Sequence, residues 1–150
     1  MKRATQAEAT STLQRALAAG RTGETKALAA WIRRHLFEHV MPFWEQHALD
    51  PHGGILTCIN DAGEVLSTEK WMWSQWRAVW AFSHIHNKLD PDPKWLERAR
   101  SIAEFCLGNG WLEQEQGWAL LLAQDGQVLR RHESIYTDSF AIYGLAELYR

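Results

Sequence analysis

Two stretches decide how this chain is read: Gly54 to Leu66, GILTCINDAGEVL, and Gly117 to Leu129, GWALLLAQDGQVL. Shifted by 63 positions, Gly54 falls on Gly117, Gly63 on Gly126, Val65 on Val128 and Leu66 on Leu129. The matches land on turn glycines and on an apolar return strand, where backbone geometry restricts the residue. Each stretch reads as a compact β-hairpin. Past the hairpins the same shift carries Trp73 onto Tyr136, Trp80 onto Tyr143 and Ile85 onto Leu148. An internal repeat of helix, hairpin and helix follows.

Helical spacing fills the rest. From about Thr25 to His47 the residues Leu28, Trp31, Ile32, His35, Leu36, Val40 and Phe43 recur at three- and four-residue steps, predicting a helix interrupted or bent near Pro42. Residues 69 to 88 return to that spacing, and the two prolines of LDPDPKW end it. Another helix is expected from about Pro93 to Leu107, stopped by GNGW, and ESIYTDSFAIYGLAELYR predicts a last helix running to Arg150. Two helices with a hairpin at one end cannot bury both faces alone; they form the unit of an α/α toroid, an inner ring of helices wrapped by an outer one. The fold class expected is therefore all-α, an incomplete toroid of the (α/α)6 barrel type with short β-hairpins joining its helices. Residues 1–23, rich in Ala and Thr, read as a loosely ordered lead-in. Residues 24–150 read as the first two helical hairpin units of a ring that takes about six. Because the last helix is still amphipathic at Tyr149 and Arg150, with no stop signal, the architecture is expected to be truncated at the C-terminus.

With 16 basic and 18 acidic residues and a net charge of -2, there is no basic stripe for a phosphate backbone and no polybasic anchor. Neither nucleic acid nor membrane is an expected partner. No apolar run at the N-terminus has the length of a signal peptide or a spanning helix, so a soluble, cytoplasmic protein is expected. Cys58 and Cys106 lie far apart in apolar contexts and read as reduced, buried small hydrophobes. His35 and His39 stand four apart on a helix, a chelating spacing, but no third ligand shares their face and no metal is expected. His84 and His86 face different ways and neither reads as a base. Without a phosphate loop, a nucleophile elbow or a zinc pattern, no cofactor is expected.

The chemistry concentrates in WMWSQWRAVWAF, Trp71 to Phe82. Trp73, Arg77 and Trp80 stand at i, i+4 and i+7 on one stripe of a helix, while Met72, Trp76 and Val79 form the neighbouring stripe. An arginine among indoles needs acceptors for its five donors, and the nearest acid, Glu69, is two turns back. A neutral, hydroxyl-rich ligand with apolar C–H faces, such as a sugar, suits that setting. The bland alternative is that Arg77 snorkels or pairs with a distant acid over a tryptophan core. On the second repeat's helix, Ser134 and Asp138 stand four apart; they line the same cavity, or Ser134 is an N-cap. Trp118 points either across the pocket mouth or into the core between the hairpins.

These stretches, with WLERARSIAEFCLGNG between them, resemble over residues 25 to 150 the N-terminal part of the N-acylglucosamine 2-epimerase (renin-binding protein) family. The most specific element is Trp-x-Gln-x-Arg-x-x-Trp, met by Trp73, Gln75, Arg77 and Trp80. The resemblance implies an (α/α)6 barrel and proton abstraction and return at C2 of a ring-opened sugar, run by two histidines as base and acid. It makes Arg77 the sugar-binding arginine, with Trp73, Trp80, Gln75, Ser134, Asp138 and Trp118 as its companions. None of the seven histidines here matches the catalytic pair, so no catalytic residue is expected in this chain, and the chain alone is expected to be inactive. In the isomerase and cellobiose epimerase branches, an Asn and a His occupy the positions of Ser134 and Asp138, which favours the acylglucosamine branch. Trp76 departs from the family's usual small residue. The partners implied are a small-molecule sugar and, in the full-length form, a second copy as a homodimer. The alternatives are an aldose-ketose isomerase of the same family and a non-catalytic carbohydrate-binding or protein-interaction module.

Overall fold

The computed structural model describes Ser11, Gln14, Arg15, Leu17, Ala18 and residues 25–150. The remainder of the expected lead-in lies outside the described residues. The chain divides into two compact units, Met1–Glu45 and Gln46–Arg150, a boundary later than the one expected near residue 23. In the first, helix α1 (Thr25–His35) runs into a π turn (Leu36–Val40) and then into α2 (Met41–His47), which crosses the boundary. The Met41 N–H bonds Leu36 O, one residue further back than in an α-helix. The next residue, Pro42, has no N–H and its ring crowds the carbonyl four residues back; the wider turn relieves that conflict where a bend is expected.

The second unit carries the repeat. Strands β1 (Cys58–Ile59) and β2 (Val65–Ser67) form the first hairpin, β3 (Lys70–Trp71) follows, and α3 (Met72–His84) continues into a second π turn (Ile85–Leu89). Helix α4 (Pro93–Asn109) begins with Asp92, whose carboxylate accepts from Lys94 N, and with Pro93 in the first turn, where a missing N–H costs nothing. Strands β4 (Trp111–Leu112) and β5 (Gly117–Trp118) pair with each other, β6 (Leu121–Leu122) and β7 (Val128–Arg130) form the second repeat hairpin, and α5 (Ile135–Tyr149) closes the described chain. The described residues are mainly helical with three small antiparallel sheets; β3 pairs with β6, so the two repeats share a sheet in the order β3, β6, β7.

The two repeat hairpins close with the same turn. In the first, Asn60 N donates to Glu64 O at 3.0 Å and Gly63 N to Asn60 O at 2.9 Å; 63 residues on, Ala123 N donates to Gln127 O at 2.8 Å and Gly126 N to Ala123 O at 3.1 Å. Gly63 and Gly126 hold φ of +85° and +95°, a region that side-chain-bearing residues rarely enter. Helices α3 and α5 then lie side by side, in the same direction and in register. Trp73 meets Tyr136, Arg77 meets Phe140, Trp80 meets Tyr143 and His84 meets Glu147, each pair separated by the repeat shift. The helices approach closely because of Gly144, where a Cβ would lie 2.6 Å from the Trp76 carbonyl oxygen. Helix α4 runs antiparallel to α3, with Trp95 against Phe82 at one end and Gly110 against Met72 at the other. The core sits between them: Met72, Trp76, Val79, Ala99, Ile102, Ala103 and Cys106. Cys106 is buried as expected, but Cys58 is exposed on a two-residue edge strand with no layer over it.

At the base of the hairpins a buried ion pair braces the unit. The Lys70 ammonium reaches Asp50 Oδ2 at 2.8 Å, Gly53 O at 2.7 Å and Gln124 O at 2.6 Å, and it lies 4.2 Å from the centre of the Phe105 ring. The ammonium thus donates to two backbone carbonyls and faces the carboxylate as an ion pair, joining three chain segments. Burial pushes the Asp50 carboxyl up, but the bonds from Lys70, the His52 N–H and Gln124, with the Lys70 charge, hold it below the usual carboxylate range. No helix among the described residues is long and apolar enough to cross a membrane.

Candidate functional site

The stripes of α3 separate by burial. Met72, Trp76 and Val79 are fully buried, whereas Arg77 is exposed and Trp73 and Trp80 are half-buried. Alongside them α5 presents Tyr136, Phe140 and Tyr143, which are the repeat equivalents of Trp73, Arg77 and Trp80. The result is an open aromatic surface with one cation in it. The Arg77 guanidinium carbon lies 5.7 Å from the ring centre of Trp73 and 5.7 Å from that of Phe140, within reach of a cation–π attraction. Among the described residues Arg77 has no ion pair and no hydrogen bond, so its donors are available to an acceptor from outside. The reading in which Arg77 pairs with a distant acid has no support here.

Trp80 is placed on this surface but does not offer it a face. Its indole is sandwiched between His84, 4.6 Å away at 13°, and Tyr143, 4.9 Å away at 14°. Both stacking faces are therefore taken, and Trp80 presents only its edge. His84 is held in turn by Glu147, 3.2 Å away, which also accepts from Asn87. Burial raises the Glu147 carboxyl, but Asn87, His84 and the Arg150 charge outweigh it and keep it below the usual range.

Two expected companions lie elsewhere. Gln75 is completely buried and its amide is spent on one residue: Oε1 accepts from Ile55 N and Nε2 donates to Ile55 O, both at 2.8 Å. It lies two residues from both Trp73 and Arg77, about 200° around the helix from each, which turns it inward to pin the first hairpin to α3 rather than toward a ligand. Trp118 is buried, 4.7 Å from Trp76 and 5.2 Å from Trp111, both edge-to-face, so it belongs to the core between the hairpins. Ser134 is the N-cap of α5, its hydroxyl accepting from Tyr136 N at 3.4 Å. The Asp138 carboxylate is occupied on both oxygens, by Trp118 N at 2.9 Å and by His132 Nε2 at 2.8 Å. Phe140 and His132 escape a sequence reading based on periodicity. The repeat shift applied to Arg77 finds Phe140, whereas His132 sits in a non-periodic connector.

This surface can bind and orient a ligand with oxygen acceptors and apolar faces. Its neighbouring histidines are each tied to a carboxylate through one ring nitrogen, His84 to Glu147 and His132 to Asp138, a pairing that orients the imidazole. No group of three metal-ligating side chains converges among the described residues.

The sequence profile of N-acylglucosamine 2-epimerase (GlcNAc 2-epimerase) matches residues 53–150, the whole of the hairpin and helix repeat. The chain belongs to the N-acylglucosamine 2-epimerase family. It is similar to human N-acylglucosamine 2-epimerase, with 28% identity over 133 residues, covering 85% of this chain and 31% of that protein. It is also similar to the cellobiose 2-epimerase of Dictyoglomus turgidum, with 23% identity over 128 residues, covering 85% of this chain and 33% of that one. Among solved structures, a sugar epimerase from a ruminal bacterium superposes with a TM-score of 0.75 at 26% identity, over 82% of this chain and 32% of the other. The cellobiose 2-epimerase of Spirochaeta thermophila superposes at 0.74 and 27% identity, over 83% and 31%. The chain thus spans about a third of the length of the curated relatives it matches.

Proposed function

We propose that the aromatic surface around Arg77 is one wall of the substrate cavity of a sugar 2-epimerase of the N-acylglucosamine/N-acetylmannosamine type. In this reading α3 and α5 are consecutive inner helices of an (α/α)6 barrel, and their parallel packing in a 63-residue register supports it. The observation that carries the proposal is the unpaired Arg77 between Trp73 and Phe140. A guanidinium with free donors binds sugar oxygens in a fork, and the flanking rings meet the sugar's C–H faces. Arg77 fixes the reacting end of the ring-opened sugar, and Trp73 and Phe140 hold its orientation. Proton removal and return at C2 fall to groups that this surface does not supply.

The test is twofold. Binding of N-acetylmannosamine to the chain, followed by tryptophan fluorescence, is expected to be lost in Arg77→Ala; equal affinity in that variant sinks the proposal. Epimerisation of N-acetylmannosamine by this chain alone is expected to be absent, and turnover would place a base within these residues after all. A second reading, a cellobiose 2-epimerase, draws on the superposition with the Spirochaeta thermophila enzyme. Competition between N-acetylmannosamine and cellobiose at the Arg77 surface separates the two.

A further inference from the structure

We propose that the His132–Asp138 pair is a positioning device for the sugar-facing surface: it does not touch the ligand but fixes the turn of α5 that carries Tyr136 and Phe140 against Trp73 and Arg77. The inference rests on the reading of the Arg77 surface as a sugar site. Tyr136 and Phe140, which face Trp73 and Arg77, lie within the first two turns of α5, next to a weak cap. Ser134 accepts only from Tyr136 N, at 3.4 Å. Four residues on, Asp138 gathers three segments on one carboxylate: α5 itself, the N–H of Trp118 on β5 at 2.9 Å, and His132 of the connector at 2.8 Å.

The surroundings are built for this arrangement. A Cβ at Gly117 would lie 2.5 Å from His132 Cδ2, so the imidazole occupies space that any other residue there would fill. Trp118, whose N–H is held by Asp138, has its ring anchored between Trp76 and Trp111. That gives the carboxylate a rigid reference in the core. With Asp138 ionised, the tautomer that satisfies the pair carries its proton on Nε2, and the resulting charge-assisted hydrogen bond is the strong type. His132 and Asp138 remain 26% and 28% exposed, so the pair is too open to be a principal source of stability. Its effect falls on the direction of α5's first turn, and so on the distance from Phe140 to Arg77.

The experiment uses the whole chain, N-acetylmannosamine as probe and two readouts: affinity by tryptophan fluorescence and the through-space NMR signal between the Tyr136 and Trp73 rings. His132→Ala is expected to weaken binding about tenfold and to diminish the ring signal while the melting temperature stays within a few degrees. His132→Gln, whose amide N–H reaches the same carboxylate, is expected to restore both readouts, with affinity within about threefold. Unchanged affinity and ring signal in His132→Ala, with binding lost in Arg77→Ala, overturns the positioning role and leaves the sugar site standing. Loss that follows the melting temperature and is not recovered by glutamine overturns it as well. If Arg77→Ala has no effect on sugar binding, the site reading falls, and the ring signal alone decides whether the pair sets Tyr136.

Discussion

Replacing Lys70 by methionine leaves the stem in place and removes the ammonium from a site with no solvent access. Gly53 O and Gln124 O lose their donor and Asp50 loses its counter-charge at once, all within 2.8 Å of the ammonium in the native protein. Removing one partner of a buried pair costs about 3–5 kcal/mol, because the other charge stays buried and unpaired. At roughly 2–4 °C per kcal/mol for a chain of this size, the melting temperature of Lys70→Met should fall by about 6–20 °C. The sign of the pH dependence checks the cause. In the native protein the Asp50 carboxyl is held below its ordinary value, so its contribution is present above the unfolded carboxylate pKa and is lost as acid protonates the folded form. In Lys70→Met the bond and charge of Lys70 are gone and only the His52 N–H and Gln124 still oppose burial, so the carboxyl's pKa rises and acid should cost the variant less stability than it costs the native protein. Adding Asp50→Asn to Lys70→Met should recover part of the loss at neutral pH. Urea unfolding across pH 3 to 8 measures all of this. A Lys70→Met variant within about 1 kcal/mol of native, or one whose stability falls with acid as the native protein's does, refutes the buried brace.

The remaining expectations are simpler. Gln75→Leu strands both Ile55 backbone groups in the interior and should cost about 2–4 kcal/mol by urea unfolding; a loss of sugar affinity without a loss of stability would return Gln75 to the binding surface. Gly144→Ala forces a methyl against the Trp76 carbonyl and should destabilise by about 1–3 kcal/mol, read from the melting curve, although alanine is ordinarily the better helix former. A thiol reagent should modify one cysteine rapidly in the native state, because Cys58 is exposed, and the second only in denaturant, because burial pushes the Cys106 thiol far up despite the Lys70 charge; two rapid equivalents contradict the packing of α4.

The repeat was legible in the sequence because it rests on turn glycines and apolar spacing, the features most directly dictated by backbone geometry. Trp73 and Arg77 were legible for the same reason: helical periodicity assigns side chains to faces. Gln75 shows the limit of the motif. Its place beside Arg77 in the Trp-x-Gln-x-Arg pattern is a line of sequence, whereas a helix turns it by a hundred degrees per residue, toward Ile55. Helical spacing puts Trp80 on one stripe with Trp73 and Arg77, but the stack that covers both sides of its ring depends on His84 and Tyr143, and the latter is 63 residues away. Asp138, four residues from Ser134, and Trp118 at the start of the second hairpin are visible in the sequence as candidates. Their partners, His132 and Trp76, come from a connector and from another helix, and no local pattern links them.

The repeat also explains why the surface around Arg77 is aromatic. Parallel, in-register packing of α3 and α5 brings each residue against its own equivalent one repeat later, so Trp73 and Trp80 meet Tyr136 and Tyr143, and the arginine between them meets Phe140. A strictly repeated sequence would have placed a second arginine opposite Arg77, two like charges on an apolar surface with nothing to neutralise them. The phenylalanine removes that repulsion and supplies a second ring face to the same guanidinium. The pairing of Arg77 with Phe140 is therefore a point at which the two repeats differ, and it leaves a single cation framed by aromatic rings from both helices.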